Sequence, residues 1–229
     1  MDFKKYKHIS FDLWLTLIKS NPDYKLKRSQ LLAEFFNIPF DAHHINSTVK
    51  KHDVQFNRMA EVTGRHIYQG HMWLIILSEL DCNVEEMPPQ RLQEFYWLQE
   101  KLFLENSPVL IDEESDKTLS TLTAHGITLN LLSNTGFIEG RLLRTVLARW
   151  GLDKYFSFQL YSDEIGFSKP AAGAFKCLFD HIQKINAVNK PEVLHIGDNK
   201  TADVAGAEKF GLSAALLLPN QKISMLINN

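Results

Sequence analysis

Hydrophobic residues follow two different spacings along this chain. Short and nearly continuous apolar runs predict strands that are buried on both faces, and they lie at residues 7–12, 127–132, 156–161, 192–196 and 214–218. Elsewhere, apolar side chains recur at helical spacing, which predicts helices over residues 113–125, 138–150, 175–185 and 201–210. Strands that alternate with helices in this way predict an α/β fold, with a doubly wound (Rossmann-like) parallel sheet covered by helices on both faces.

The long segment at residues 20–106 shows only helical periodicity. Its apolar side chains recur at helical spacing from Tyr24 to about Glu105, and Asn21-Pro22 and Pro88-Pro89 are its clear breakers. The segment is too long to be a simple crossover between two neighbouring strands. We therefore predict an inserted all-α cap domain at residues 20–106, between the two parts of an α/β core at residues 1–19 and 107–229.

Composition and charge restrict the classes of function. The 229 residues carry a formal net charge of −2, which gives no reason to expect a nucleic-acid partner. No apolar run is long enough to cross a bilayer, and the first residues show no secretory signal. The two cysteines, Cys82 and Cys177, form no C-x-x-C pair and are typical of thiols in a reducing compartment. The sequence thus predicts a cytoplasmic protein with no membrane partner, and it indicates no particular oligomeric state.

Two groups of polar residues follow core strands in the first 140 residues. Asp12 ends the first apolar run, with Trp14 two residues later and Thr16 four residues later. Ser133 and Asn134 directly follow the second run. In an open parallel sheet, ligands bind beyond the carboxyl ends of the strands. Asp12 can therefore present a nucleophile or a metal ligand, and Ser133, with free backbone N–H groups at a helix start, suits a bound oxyanion.

Two further polar groups lie later in the chain. Lys169 stands on a loop before Pro170, a residue suited to open a helix. Asp198 follows the apolar run at 192–196, and Asp203 lies five residues further on, in the first turn of the next predicted helix. These two acids therefore flank the junction between a strand and a helix, where a ligand of the sheet would lie.

The four groups are more informative together than singly. A strand-terminal aspartate alone is often only a helix cap, but an acid, a hydroxyl, a lysine and an acid at successive strand ends would share one polar pocket. Asp12 and Asp198 can hold a hard cation such as Mg²⁺ through oxygen. Lys169 and Ser133 can neutralise and hydrogen-bond an anion on the other side. Asp12 can then attack phosphorus to give an aspartyl-phosphate.

In this order the four groups resemble the motifs of the haloacid dehalogenase (HAD) superfamily of hydrolases. The helical insertion resembles the subfamily whose cap lies between the first and second motifs. The resemblance implies Asp12 as the nucleophile and a Mg²⁺ ligand, with the main-chain carbonyl of Trp14 and the side chain of Asp198 as further ligands. It implies Asp203 as a second acid of the metal site, which supports the water shell of the metal or Lys169.

The resemblance also implies roles on the anion side of the site. Lys169 would steady the nucleophile and the transferred group, while Ser133 and Asn134 would bind the substrate. Thr16 matches the threonine of the first motif and is a further substrate-binding candidate. The implied function is Mg²⁺-dependent hydrolysis of small phosphorylated metabolites, with a phosphate monoester as the small-molecule substrate.

Trp14 departs from the family pattern, because HAD phosphatases usually carry a second aspartate two residues after the nucleophile. An indole donates one hydrogen bond but cannot act as an acid or base at neutral pH, and general acid–base catalysis typically contributes ~10²–10⁴ in rate. Dehalogenases, whose halide leaves without a proton, also lack this aspartate, as do phosphonatases, which use a cap lysine; Lys50 and Lys51 are candidates here. Both reactions stay open, as do a proton donor in the cap or the substrate and a binding or regulatory protein without turnover.

Other polar and aromatic residues of the predicted cap have simpler interpretations. Lys25, Lys27 and Arg28 are interpreted as a solvated helix face in preference to an anion site. Histidines 43, 44, 66 and 71 match no zinc spacing and are predicted to lie on the surface or to cap helices. The large aromatic side chains are predicted to pack the cap helices together, and they are Phe35, Phe36, Trp73, Phe95, Tyr96 and Trp97.

Overall fold

The computed structural model describes residues 3–227, so the predicted ends of the core at residues 1–2 and 228–229 lie outside it. The strands are β1 (His8–Phe11), β2 (Ile18–Lys19), β3 (Val109–Leu110), β4 (Thr128–Ser133), β5 (Phe156–Tyr161), β6 (Val193–Gly197) and β7 (Ser213–Leu216). The helices are α1 (Pro22–Phe36), α2 (Ala42–Thr63), α3 (Gln69–Glu79), α4 (Pro89–Glu105), α5 (Ser115–Ala124), α6 (Gly140–Arg149), α7 (Ser162–Ile165), α8 (Ala172–Ile185), α9 (Gly206–Phe210) and α10 (Ile223–Ile227).

Strand β1 lies at the centre of a five-stranded sheet of order β5-β4-β1-β6-β7. All pairings in this sheet are parallel, and His8 of β1 pairs with Thr128 of β4 on one side and with Val193 of β6 on the other. The chain first fills one side of β1 and then crosses to fill the other. Such a reversal leaves a ligand crevice beyond the carboxyl ends of the strands. The predicted doubly wound α/β fold is confirmed.

The continuous apolar runs correspond to strands with no exposed face. Every residue of β1 and β6 is buried, because helices cover both sides of the sheet. The helix predicted at 201–210 is divided into a π-helical stretch, Lys200–Ala205, and α9. The Asn199 side chain begins it by accepting hydrogen bonds from the backbone N–H groups of Thr201 and Ala202. Within residues 3–227, no helix combines the length and the apolar character needed to cross a membrane.

Helices α1 to α4, which we call the helical segment (residues 22–105), contain a hydrophobic cluster separate from those beside the sheet. The segment begins at a predicted breaker, where Asn21 accepts a hydrogen bond from the N–H of Asp23. Trp73 and Phe95 are fully buried in the cluster, with ring centroids 5.2 Å apart. The prediction for Trp97 was wrong, since its side chain is 61% exposed. Residues two apart on a helix point to nearly opposite sides, so α4 buries Phe95 and exposes Trp97.

Candidate active site

Asp12 lies directly after the central strand, at the carboxyl edge of the sheet. Its N–H donates to the carbonyl of Ile196 (2.8 Å), which continues the β1–β6 pairing by one residue and fixes the backbone. One carboxylate oxygen accepts from Lys169 Nζ (2.8 Å), and the other accepts from the Thr16 hydroxyl at a longer 3.3 Å. Burial raises the pKa of Asp12 above its usual value, and the ammonium of Lys169 opposes that effect. The second oxygen is therefore the one with the weaker hydrogen bond and is free to react.

Lys169 is the central cation of the site. Its side chain is 1% exposed, and Nζ donates to Asp12 Oδ1 (2.8 Å) and Asp203 Oδ1 (2.6 Å). Burial lowers the pKa of a lysine, but these two carboxylates raise the pKa of Lys169 above its usual value. A buried charge is tolerated only when it is paired in this way. Lys169 therefore remains an ammonium and holds both carboxylates in fixed positions.

Asn134 holds the Lys169 loop against the end of β4. Its amide oxygen accepts from the Lys169 N–H (2.8 Å), and its amide nitrogen donates to the Lys169 carbonyl (2.9 Å). This pair of hydrogen bonds resembles the backbone pairing of two β-strands. It fixes the position of the Lys169 backbone, from which the side chain extends. Asn134, a substrate-binding candidate in the sequence, thus uses both ends of its amide to position the cation.

Asp203 lies beneath the site and is 2% exposed. Besides Lys169, it accepts from His195 Nε2 (3.1 Å) and from the N–H of Asn199 (3.0 Å). Burial alone would raise the pKa of Asp203, but Lys169 and His195 hold that pKa below its usual range. Gly197 makes room for it, because a Cβ atom on that residue would lie 2.1 Å from Asp203 Oδ2. The low pKa of Asp203 thus favours the ionised form, which supports Lys169.

Three carboxylates form the candidate metal centre. Asp12, Asp198 and Asp203 each offer one oxygen, and these atoms lie within 4.8 Å of one another. Oxygen donors of this kind suit Mg²⁺. The three carboxylates differ in how available they are to bind a cation, because Asp203 already accepts three hydrogen bonds. Asp198 is half-buried at the end of β6, and burial raises its pKa. The donor set fits a hard cation, with Asp12 and Asp198 as the more accessible pair.

Ser133 ends β4 beside this group, but the loop that follows differs from the prediction. Ser133 is buried and its hydroxyl donates weakly to the Asn134 carbonyl (3.3 Å). The expected helix start was wrong, because α6 begins only at Gly140. The N–H of Thr135 is also not free, since it donates to Ser162 Oγ (2.8 Å). The Ser133 hydroxyl, with its single weak hydrogen bond, is the group that can turn to a ligand.

A cavity of about 330 Å³ is lined by residues that follow Asp12 and Ser133 in the chain. Its walls include Trp14 and Leu15 after β1, residues 134, 136, 137 and 138 after β4, and polar residues of α1 and α2. Those of α2 are Asn46, Lys50, Asp53 and Asn57. These residues were not recognised from the sequence, although their helical spacing is a signal that could have identified them as one polar face. The cavity therefore joins the end of the central strand to the helical segment.

Arg28 corrects the interpretation of α1 as a solvated face. Arg28 is 7% exposed and lines the cavity together with Lys25. Lys27 points elsewhere and donates to Asn106 Oδ1 (2.6 Å). Three neighbouring cations in sequence thus have different environments, because α1 turns by about 100° per residue.

The end of α2 is tied to the loops that carry the site. The N–H of Ser168 donates to the carbonyl of Gly64 (3.1 Å), and the N–H of His66 donates to the carbonyl of Gly166 (3.3 Å). Asn199 Nδ2 also donates to Glu61 Oε1 (2.7 Å). The surface position predicted for His66 was wrong, since the ring is buried and its Nδ1 lies 3.1 Å from Ser162 Oγ. The helical segment therefore braces the loops of Lys169 and Asp198.

The doubly wound sheet, with a buried lysine and three carboxylates beyond the carboxyl ends of its strands, places the chain among Rossmann-like α/β proteins that bind ligands at this edge. A model of the haloacid dehalogenase-like hydrolase family matches residues 6–211, so the chain belongs to that family.

The chain is also similar to individual proteins, among them two phosphatases. The ribulose-1,5-bisphosphate 5-phosphatase of Halopiger xanaduensis is 28% identical over 217 residues, which are 93% of this chain and 85% of that protein. The phosphoserine phosphatase of Thermus thermophilus is 33% identical over 129 residues, which are 55% of this chain and 47% of that protein. The magnesium-bound HAD hydrolase YfnB of Bacillus subtilis has a similar fold, with a TM-score of 0.70 and 20% identity over 95% of this chain and 91% of that one.

Proposed function

We propose that this HAD-family hydrolase is a Mg²⁺-dependent phosphatase of small phosphorylated metabolites. The observation that carries the proposal is the buried Lys169, which bridges Asp12 and Asp203 beside a third carboxylate. That arrangement combines a nucleophile, a fixed positive charge and donors for a hard cation at one point. The matches to proteins named as phosphatases support the same reaction class.

Asp12 is the proposed nucleophile. Its more weakly bonded oxygen forms a bond to phosphorus while the ester P–O bond breaks, and the leaving alkoxide takes up a proton from solvent water. Water then cleaves the aspartyl-phosphate, which releases phosphate and restores the carboxylate. Lys169 is proposed to neutralise charge on the transferred group, and the hydroxyls of Ser133 and Thr16 are the proposed hydrogen-bond donors to it.

Asp12, Asp198 and the carbonyl of Trp14 are the proposed ligands of Mg²⁺. Bound there, the cation would offset the negative charge of the phosphoryl oxygens. Asp203 would not bind the cation directly. It would hold Lys169 and the water molecules around the cation. This set of three carboxylates disfavours metal-free dehalogenation, a reaction in which Asp198 would have no role.

The helical segment and its flanking residues, 20–106, are proposed as a cap over the core at 1–19 and 107–229. The cavity between them has about the volume of a small-metabolite site. Closure of the cap over bound substrate would exclude water from the phosphoryl group during the first step.

Removal of the cation gives the direct test of the proposal. We expect purified protein to release phosphate from members of a broad panel of phosphorylated metabolites in Mg²⁺ and to lose that release in EDTA. Re-addition of Mg²⁺ should restore it, which distinguishes chelation from inactivation. Hydrolysis that continues undiminished in EDTA would contradict a metal-dependent site.

Trp14→Asp is expected to raise the phosphatase rate. Trp14 lines the cavity two residues after Asp12, where an aspartate could protonate the leaving alkoxide. General acid–base catalysis typically contributes ~10²–10⁴, and we expect a gain in kcat toward the lower end because the indole also supports the cavity wall. Trp14→Asn is the matched control, since it has the same size but cannot supply a proton. If the two variants have equal kcat, the missing acid does not limit the rate.

A further inference from the structure

We propose that the substrate carries a second anionic group besides its phosphate ester, and that the cavity binds this group through Arg28, Lys25 and Lys50. The inference rests on the proposed phosphatase function and extends it to a substrate class: dianionic or polyanionic metabolites, whose second anion is a carboxylate or a phosphate. Both anions suit a guanidinium, which can bind either one through two parallel hydrogen bonds.

Arg28 is the main evidence for this anion site. More than nine-tenths of the residue is buried, yet among residues 3–227 no acceptor has hydrogen-bond geometry with its Nε. The guanidinium carbon lies 5.4 Å from the ring centroid of Phe137, 5.6 Å from that of Tyr24 and 5.8 Å from that of Trp73. The rings contact the guanidinium group at cation–π distances, but they do not replace an oxygen acceptor at Nε.

Tyr24 adds a neutral hydroxyl next to Arg28. Burial raises the pKa of Tyr24 to about 12, although Arg28 partly opposes the shift. The phenol therefore stays protonated and can donate a hydrogen bond. A buried guanidinium and a protonated phenol together form a donor site that suits an oxyanion and does not suit a cation.

The charges of the cavity wall have the same sign. Lys25 and Lys50 line the cavity with Arg28, and the acid among the described lining residues is Asp53, so three cations face one carboxylate. Burial raises the pKa of Asp53, while Arg28 and Lys25 lower it. The neighbouring Lys51 does not line this cavity and forms an ion pair with Glu79 instead. The described residues that line the cavity thus carry more positive than negative charges.

The positions of the two anion sites fit one small molecule. Trp14 and residues 134 and 136, which adjoin Asp12 and Ser133, line one part of the cavity. Arg28 and Lys50, on α1 and α2, line another part of the same 330 Å³ space. In the proposed binding mode, the ester phosphate lies towards Asp12, past Trp14 and Asn134, and the second anion lies at Arg28.

Paired substrates test the inference. Phosphoserine and phosphoethanolamine differ by a carboxylate, whereas ribulose 1,5-bisphosphate and ribulose 5-phosphate differ by a phosphate. We expect kcat/KM to be about tenfold or more higher for the doubly anionic member of at least one pair, which corresponds to ~1.4 kcal/mol. The pair with the larger ratio identifies the second anion as a carboxylate or a phosphate.

Variants then assign that preference to the cavity. Lys50→Met should reduce the ratio of kcat/KM between the doubly and the singly anionic substrate by about threefold or more. Lys51→Met, which alters the adjacent lysine paired with Glu79, should leave this ratio unchanged. Arg28→Met keeps the length and apolar contacts of the side chain and should abolish the ratio. If Arg28→Met does not fold, Lys25→Met and Lys50→Met, which alter partly exposed side chains, give the same comparison.

The results separate this inference from the proposed function. If the protein hydrolyses p-nitrophenyl phosphate but shows equal kcat/KM for both members of each pair, the second anion site is overturned. The proposed phosphatase function would then still hold. If no ester is hydrolysed, calorimetric titration of the EDTA-treated protein with the same four compounds decides the matter. Tighter binding of the doubly anionic members, weakened by Lys50→Met, supports the anion site, and equal binding overturns it.

Discussion

The Asp12→Asn protein is expected to lose phosphate release by ~10⁴-fold or more, a loss of the size seen when an enzyme nucleophile is removed. Asparagine has the same shape but cannot form the aspartyl-phosphate. The fold should persist, because Lys169 keeps its hydrogen bond to Asp203 and because a neutral side chain at position 12 carries no cost of charge burial. Phosphate release under saturating substrate and Mg²⁺ measures the loss, and circular dichroism checks the fold.

Asp116→Asn is the control for this change. Asp116 is an exposed acid that accepts from the Tyr155 hydroxyl (2.8 Å), far along the chain from the site motifs. We expect its activity to equal that of the unaltered protein within about twofold, as for a surface substitution with little effect on stability. An Asp12→Asn protein that hydrolyses phosphate esters at the rate of this control would rule out Asp12 as the nucleophile.

Lys169→Met is expected to lower both stability and activity. The change leaves Asp12 and Asp203 buried together without their shared cation, and breaking a buried ion pair typically costs ~3–5 kcal/mol. The pKa of Asp12 should rise further, because burial already raises it and Lys169 is the main opposing group. Urea unfolding in EDTA measures the free energy of unfolding without a contribution from bound metal, and a phosphate assay measures the loss of turnover.

Lys176→Met provides the matched comparison for Lys169→Met. Lys176 lies on the surface of α8 and pairs with Asp180 at 2.6 Å, four residues away. Exposed pairs of this kind contribute ~0.3–0.5 kcal/mol, so the free energy of unfolding should hardly change. If Lys169→Met unfolds at the same urea concentration as Lys176→Met, the bridge between the two carboxylates does not stabilise the protein.

The sequence was sufficient to predict the sheet and the residues gathered at its edge. Strands such as β1 and β6 are buried throughout, so their runs of apolar residues are strong and local signals. Asp12 and Lys169, separated by 157 residues, could be placed together because parallel strands end at a common edge. Neither inference required knowledge of how side chains pack.

Features that depend on packing between distant segments could not be predicted in the same way. The environment of Arg28 is set by Trp73 and Phe137, which come from α3 and from the loop after β4. His66 is buried because the end of α2 packs against Ser162 of the core. A period of 3.6 residues shows which residues share a helix face, but it does not show what that face contacts.

The hydrogen bonds that Gly64 and His66 form with the Lys169 loop have a consequence for movement of the molecule. The helical segment is joined to the sheet by the chain at both of its ends and, through these bonds and the Glu61–Asn199 pair, at a third point. Movement of the helical segment is most restricted where these bonds hold the end of α2. If the segment opens as the proposed cap, we expect it to turn about this point and to leave the Lys169 and Asp198 loops almost still, so that the catalytic charges would stay assembled while substrate enters and product leaves.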